Sequence, residues 1–407
     1  MATAPGPFMK ILMLSPFLPY PTNWGFVKRV FHLLELLARR HDVTLLSYTE
    51  GHDGENVRVL EQLCTVRTVS APAFPLGKRL AQLSSLASTT SFQRRMMGTP
   101  QMQHALDDLA SGQPFDIIHV ESSQLAGFRF DPRSLLVLDE HNVEYELYHR
   151  TFALERSPLR RLFSWREYAK FKREEIASWR AAAGCVMTSR REAELVREVV
   201  PGALVEVVPN AVDTDFFAPS SAAVESEAIV MTGLMKYRPN IDGATFFVRE
   251  ILPRILRERP AATFYVVGGE PAPEVLRLAG PNVIVTGGVD DVRPYVHKAA
   301  VIVVPLRIGS GTRLKVLEGL SMGKPMVSTA LGCEGIDVVD GQHLLVADHA
   351  APFADAVLAL MGDPARSRRL ADNGRTLMLE QYRWVTAAAT LEAFYDRLRA
   401  ARGTAAR

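Results

Sequence analysis

Gly309-Ser310-Gly311-Thr312-Arg313-Leu314-Lys315 sets glycines, hydroxyls and two cations in one short run. It follows an apolar strand-like segment at 301–304 and passes into a helical pattern that starts near Arg313. A helix N-terminus presents unpaired N–H groups and about half a positive charge, which suits a diphosphate. Glycine lets the backbone come close to phosphates, and Arg313 and Lys315 add cationic side chains at the same point. Glu318 lies one turn further on, where a carboxylate can accept two hydrogen bonds from vicinal ribose hydroxyls. The plainer alternative is a structural glycine turn followed by a solvated helix face.

His141 sits in Asp139-Glu140-His141-Asn142-Val143-Glu144, directly after a strand-like run at 135–139. Asp139 and Glu144 flank the ring and could orient it or shift its pKa. His119 also ends a strand-like run, with Glu121 beside it. Either histidine could instead be a structural group. The loop at 15–26 carries Trp24, Gly25 and Phe26, whose aromatics could stack on a ligand or pack on Phe17 and Tyr20. Lys236 and Arg238 follow the run at 229–232 and read as phosphate ligands or as solvated loop charges. No G-x-G-x-x-G is present, so nothing supports a dinucleotide cofactor.

Strand-like runs at 11–14, 43–47, 115–120, 135–139, 185–188 and 205–208 alternate with helical patterns. The 27–40 stretch places Val30, Leu33, Leu34 and Leu37 on one helical face. The span 60–113 reads as helical. After Pro209 the Pro/Ser/Ala/Glu-rich stretch 211–227 reads as a linker. A second series follows at 229–232, 264–267, 283–286, 301–304, 326–329 and 344–347, and from about Pro352 the chain reads as helices only. Apolar strands without alternation are buried on both faces, as in doubly wound α/β sheets. Such sheets bind ligands outside the carboxyl ends of their strands.

Three stretches together resemble the retaining, nucleotide-sugar-dependent glycosyltransferases of family 4. They are Asp139-Glu140-His141-Asn142-Val143-Glu144, Val208-Pro209-Asn210-Ala211-Val212-Asp213 with Phe216, Phe217 and Pro219, and the 309–318 run followed by Gly323-Lys324-Pro325. The likeness covers nearly the whole chain from Ile11. It implies the GT-B fold, with two facing Rossmann-like α/β domains, a cleft between them and C-terminal helices. The domains would be 8–210, with a helix at about 384–400 packing back on it, and a nucleotide-sugar domain at 211–383.

The resemblance also implies residue roles. The donor diphosphate would meet Gly25, Lys236, Gly311, Thr312, Arg313, Leu314 and Lys315, the ribose Glu318, and the base the backbone near Val289. The donated sugar would meet Ser310, with His141 near the reacting carbon. Apart from the resemblance, Trp24, Phe26 and Glu144 are acceptor-side candidates on their own chemistry, and His119 is a candidate either for that side or for supporting the site from behind. Two positions depart from the family pattern. Ser310 stands where the family has a glutamate for sugar hydroxyls, and Leu234 stands where an arginine follows the glycine. The activity implied is transfer from a UDP- or GDP-linked sugar to a saccharide, lipid-linked or small-molecule hydroxyl. It proceeds with retention, through an oxocarbenium-like ion pair, without metal or other cofactor. A nucleotide-sugar 2-epimerase and a nucleotide-sugar-binding protein without turnover are the alternatives.

Composition narrows the classes. A chain of 407 residues with 47% apolar content suggests two domains. Its 47 basic and 45 acidic residues give a net charge of +2, which weighs against a dedicated nucleic-acid binder. The N-terminus lacks a secretory pattern, and no apolar run approaches the ~20 residues of a membrane span. The three cysteines are scattered, so neither a disulfide framework nor a zinc site is expected. A cytoplasmic protein is expected, and high Ala and Arg usage fits a bacterial source. The basic, aromatic stretch 156–180 could lie on an anionic membrane surface. The alternative is an ordinary surface helix whose glutamates pair with its cations, and 78–95 is a weaker basic stretch of the same kind.

Overall fold

Strands form where β-branched and leucine residues run together. The first series comprises β1 (Lys10–Ser15), β2 (Asp42–Thr49), β3 (Thr65–Ser70), β4 (Ile117–Glu121), β5 (Leu135–Glu140), β6 (Gly184–Met187) and β7 (Val205–Val207). They make one sheet of order β3-β2-β1-β4-β5-β6-β7, and every pair is parallel. The second series comprises β8 (Glu225–Thr232), β9 (Thr263–Val267), β10 (Val283–Gly287), β11 (Ala299–Val304), β12 (Met326–Ser328) and β13 (Leu345–Val346). Its order is β10-β9-β8-β11-β12-β13, again with every pair parallel. The computed structural model describes residues 8–51, 53–72, 84–154, 157–309 and 311–405. It divides into two units, Met1–Pro209 with Ala387–Arg407, and Asn210–Thr386.

Both units are α/β with helices on a buried parallel sheet, the two-domain architecture of the GT-B fold. Each sheet reverses its winding once, between β1 and β4 in the first unit and between β8 and β11 in the second. Loops leaving the two strands at such a point diverge and open a crevice. The site residues lie on the loops and first helical turns that follow these strands and their neighbours β5 and β10.

Several expectations are corrected. The 60–113 span is not simply helical: Thr65–Ser70 is an edge strand paired with β2. Its sequence, TVRTVS, offers only two valines and is half exposed, as an edge position allows. Helices Phe92–Met97 and Pro100–Ala110 follow, each capped by a hydroxyl, Ser91 and Thr99. Strand β8 begins inside the expected linker, at Glu225. The helix after β8 widens to a π turn at Phe247–Ile251, just before Pro253. Proline has no N–H for the usual bond four residues back, which accounts for the widening. Among the described residues, no helix is long and apolar enough to cross a membrane.

The last helix, Trp384–Ala405, belongs to the first unit from Ala387 onward. It buries Leu391, Phe394, Tyr395 and Leu398. Gly184, at the start of β6, is required by that contact. A Cβ there would stand 2.5 Å from the Phe394 ring.

Candidate functional site

In the second unit, the loops leaving β8 and β11 meet at the crevice. The helix Leu314–Ser321 starts after two left-handed glycines, Gly309 (φ +127°) and Gly311 (φ +75°). Its first turn holds no acidic residue, so its N–H groups face no built-in carboxylate there. Lys315 crosses to the helix that follows β8, Arg238–Phe246, and donates to Asn240 Oδ1 at 2.7 Å, while Asn240 Nδ2 donates to the Leu234 carbonyl, in the loop between, at 2.9 Å. Gly233 makes this possible. A Cβ at that position would sit 2.7 Å from both Lys315 Nζ and Asn240 Nδ2. Burial pushes the Lys315 ammonium down to about 7, Arg313 adds to the drop, and Glu318 opposes it.

Other expected second-unit residues fall as follows. Arg313 is buried and folds back on the Gly311 carbonyl rather than pointing outward. Thr312 and Glu318 are half-buried, and Leu314 packs against the hydrophobic core. Lys236 is exposed and makes a two-oxygen ion pair with Glu270 at 2.8 and 2.9 Å. Val289 is half-buried against the core, two residues beyond the left-handed Gly287. Ser310 lies outside the described residues. Asn240 was not singled out in the sequence, where nothing distinguishes it from a loop asparagine.

In the first unit, His141 follows β5 and stacks on Phe26 at 4.2 Å between ring centroids. Phe26 stacks on Trp24 at 5.4 Å, and Phe17 meets both edge-on. The aromatics therefore pack on one another and on His141, with Trp24 still about half exposed at 49%. Gly25 is the first residue of helix Gly25–Ala38, behind an extended Trp24. His141 Nε2 lies 2.7 Å from Glu121 Oε2. A carboxylate only accepts, so Nε2 carries a hydrogen there and Nδ1 is the nitrogen left to meet a ligand.

Behind that pair lies a buried ion cluster. His119 Nε2 is 3.2 Å from Glu121 and 3.5 Å from Asp139, and its Nδ1 is 2.8 Å from the Tyr395 hydroxyl. Arg29 Nη2 donates to both Asp139 oxygens, at 2.9 and 3.1 Å. Burial alone lowers the His119 pKa, but the Glu121 and Asp139 carboxylates outweigh it and raise it to about 9. Burial would raise Asp139, but Arg29 and His119 hold it below the usual carboxylate range. His119, Glu121 and Asp139 also lie within 4.8 Å of one another, close enough to share a metal ion. Arg29 and the His119 proton already balance both carboxylates. The set is an ion-pair cluster, and its complete burial leaves His119 no surface for an acceptor. Of the two places expected for it, this geometry agrees with the supporting one, behind the Glu121–His141 pair.

Glu144 begins helix Glu144–Leu154, and burial pushes its carboxyl up to about 7. The sequence signal for Arg29 was available: it lies four residues before Leu33, on the buried face of its helix. Tyr395 offered none beyond its place in an amphipathic helix.

Comparison with known proteins finds a match for each unit. Residues 25–211 match the model of the glycosyl transferase 4-like domain, and residues 226–363 match that of glycosyl transferases group 1. A 44.6 kDa protein of the cps region of Klebsiella pneumoniae is 22% identical over 92% of this chain and 96% of its own length. A GDP-mannose-dependent alpha-(1-6)-phosphatidylinositol monomannoside mannosyltransferase of Mycobacterium tuberculosis is 30% identical over 48% of this chain and 56% of that protein, about half of each. Among solved structures, sucrose-phosphate synthase from Thermosynechococcus elongatus aligns with TM-score 0.69 at 19% identity over 97% of this chain and all of that one. Anabaena HepE in complex with UDP aligns with TM-score 0.66 at 15% identity over 96% of this chain and all of that one. Models of two glycosyltransferase domains, matched in order along the two units of a GT-B fold, place this chain among the GT-B glycosyltransferases.

Proposed function

We propose that this glycosyltransferase moves a sugar from a nucleotide-diphosphate sugar to an acceptor hydroxyl with retention of anomeric configuration and without a metal. The observation that carries the reading is Lys315. It is a half-buried cation at the N-terminus of a helix that bears Glu318 one turn on, and Asn240 ties it to the first turn of the helix that follows β8. A diphosphate at that point gains the helix N–H groups and the Lys315 charge together, and its ribose meets Glu318. Developing negative charge on the leaving diphosphate is stabilised by the same fixed donors. That supports metal-independent departure of the nucleotide, followed by attack of the acceptor on the face the nucleotide leaves.

His141 is the first-unit group assigned to the donated sugar. Glu121 holds its Nε2, so Nδ1 is presented to accept a hydrogen bond from a sugar hydroxyl. Phe26 stacks on it and the half-exposed Trp24 stacks on Phe26, and these rings suit an acceptor, while Gly25 between them is assigned to the diphosphate. Lys236 must leave Glu270 to reach a phosphate, so Lys315 is ranked first among the cations. UDP- and GDP-linked sugars are the first donors to test, since the similar HepE was solved with UDP and the similar mycobacterial enzyme is named for GDP-mannose.

The test is nucleotide release from a panel of UDP-, GDP-, ADP- and dTDP-sugars in chelator, with wild type and Glu318→Ala. Slow release from one donor, abolished in the variant, is expected. Proton NMR of the glycoside formed with a screened acceptor then reads the anomeric configuration. Turnover that Glu318→Ala leaves intact refutes the donor-site assignment, and an inverted product refutes retention.

A further inference from the structure

The long helix Pro158–Ala181 sorts its charges in a way its sequence hides. All three of its glutamates turn inward. Glu167 binds Lys170 Nζ at 2.8 Å, Ser85 Oγ and the Phe92 N–H, both at 2.6 Å. Glu174 accepts from the Ser91 N–H, and Glu175 accepts from the N–H groups of Glu144 and Tyr145. All three are buried. The plainer reading, in which the glutamates pair with the helix's own cations, holds for Glu167 and Lys170 alone, while Glu174 and Glu175 are taken up by backbone N–H groups.

The outer face is left with arginines and two large apolar side chains. Leu162 and Trp165 are 52% and 50% exposed. Arg160, Arg161, Arg166, Arg173 and Arg180 are exposed, and none of them pairs with a carboxylate among the described residues. Arg161 lies over the Phe152 ring at 4.9 Å, and Arg173 meets the Thr89 carbonyl. At helical spacing, Leu162, Trp165, Arg166, Ala169 and Arg173 fall on one stripe, with Arg161 at its border.

This face also has a definite place. Trp179 Nε1 donates to Glu140, the last residue of β5, so the helix has reached the carboxyl edge of the sheet by then. Glu175 caps a helix that starts beyond that edge. The turns around Leu162 and Trp165 lie ten to thirteen residues before Glu175, about 15–20 Å at 1.5 Å per residue, so they project beyond the edge that carries His141 and Trp24.

We propose that this face docks on an anionic lipid bilayer, with Leu162 and Trp165 entering the interface and the arginines meeting lipid phosphates. Exposed cations without balancing carboxylates fit a negative surface. A tryptophan and a leucine among them fit the headgroup boundary rather than a purely polar polyanion. A protein held this way carries the carboxyl edge of its first sheet close to the membrane, where a lipid-linked hydroxyl would be met. The docking itself does not depend on the identity of the donor or acceptor.

Co-sedimentation of the full chain at low salt tests it, with vesicles of phosphatidylglycerol and phosphatidylcholine in equal parts and of phosphatidylcholine alone. Binding to the anionic vesicles only is expected. Arg161→Ser/Arg166→Ser should weaken it roughly thirty-fold, at about fivefold per charge, and Leu162→Ser/Trp165→Ser should weaken it too. Arg254→Ser/Arg257→Ser removes the same charge from an exposed helix of the second unit and should leave binding within twofold. Circular dichroism confirms that the variants stay folded. Failure to sediment overturns the proposal, as does equal loss in the second-unit variant. Binding to soluble heparin without binding to vesicles would overturn it in favour of a soluble polyanion.

Discussion

Lys315 has a consequence that titration reads directly. Burial leaves its pKa at about 7 in the free protein, against about 10.4 for an unperturbed lysine. A bound diphosphate favours the charged form and raises that pKa. Binding must then take up a proton above about pH 7, and donor affinity should fall as pH rises beyond that point, by up to tenfold per unit. Calorimetry of UDP or GDP in two buffers of different ionisation enthalpy should show the uptake at pH 8, and Lys315→Met should bind weakly with no uptake. A flat affinity from pH 7 to 9 in wild type would remove Lys315 from the phosphate site. The sequence showed this lysine in its motif but not its anchor. Asn240 lies far off in sequence, in the first turn of the helix after β8, and only the parallel neighbours β8 and β11 bring the two together. The Arg29–Asp139 pair was hidden for the same reason, since its partners sit on separate elements 110 residues apart.

At the scale of elements, runs such as AVIVV in β11 were legible because a strand buried on both faces must be apolar throughout. Edge strand β3 was not, since one neighbour and half exposure demand little of its side chains. The long basic helix was legible as a helix but not in its orientation, because its three glutamates are committed to backbone N–H groups elsewhere in the unit and, for Glu167, also to Lys170 on the helix itself. Glu175 shows what such a commitment does. Both its oxygens take N–H groups at the start of helix Glu144–Leu154. Glu175→Ala should therefore cost about 1–2 kcal/mol by leaving those donors without an acceptor. It should also speed amide exchange at 144–148 relative to the helix at Gly25–Ala38. Equal protection in the variant would mean that the helix is held by packing alone.

At the scale of the molecule, the chain builds a first unit, then a second, and returns to complete the first. Ala387, Leu391, Phe394, Tyr395 and Leu398 are all buried in that return, and Tyr395 supplies the hydrogen-bond partner of His119. Burial of a large apolar side chain is worth about 1.5–3 kcal/mol. The set therefore contributes on the order of 10 kcal/mol as an upper figure, as much as a whole domain's net stability. The Lys315 loop and its partners lie entirely within Asn210–Thr386. Truncation after Thr386 should thus abolish the cooperative unfolding of the first unit while the second keeps its own transition and its nucleotide affinity. Scanning calorimetry of the truncated chain should show one transition, raised in temperature by the nucleotide that the full chain binds. If both transitions vanish, or nucleotide no longer raises the survivor, then the last helix supports the donor site as well, and the division of labour between the units fails.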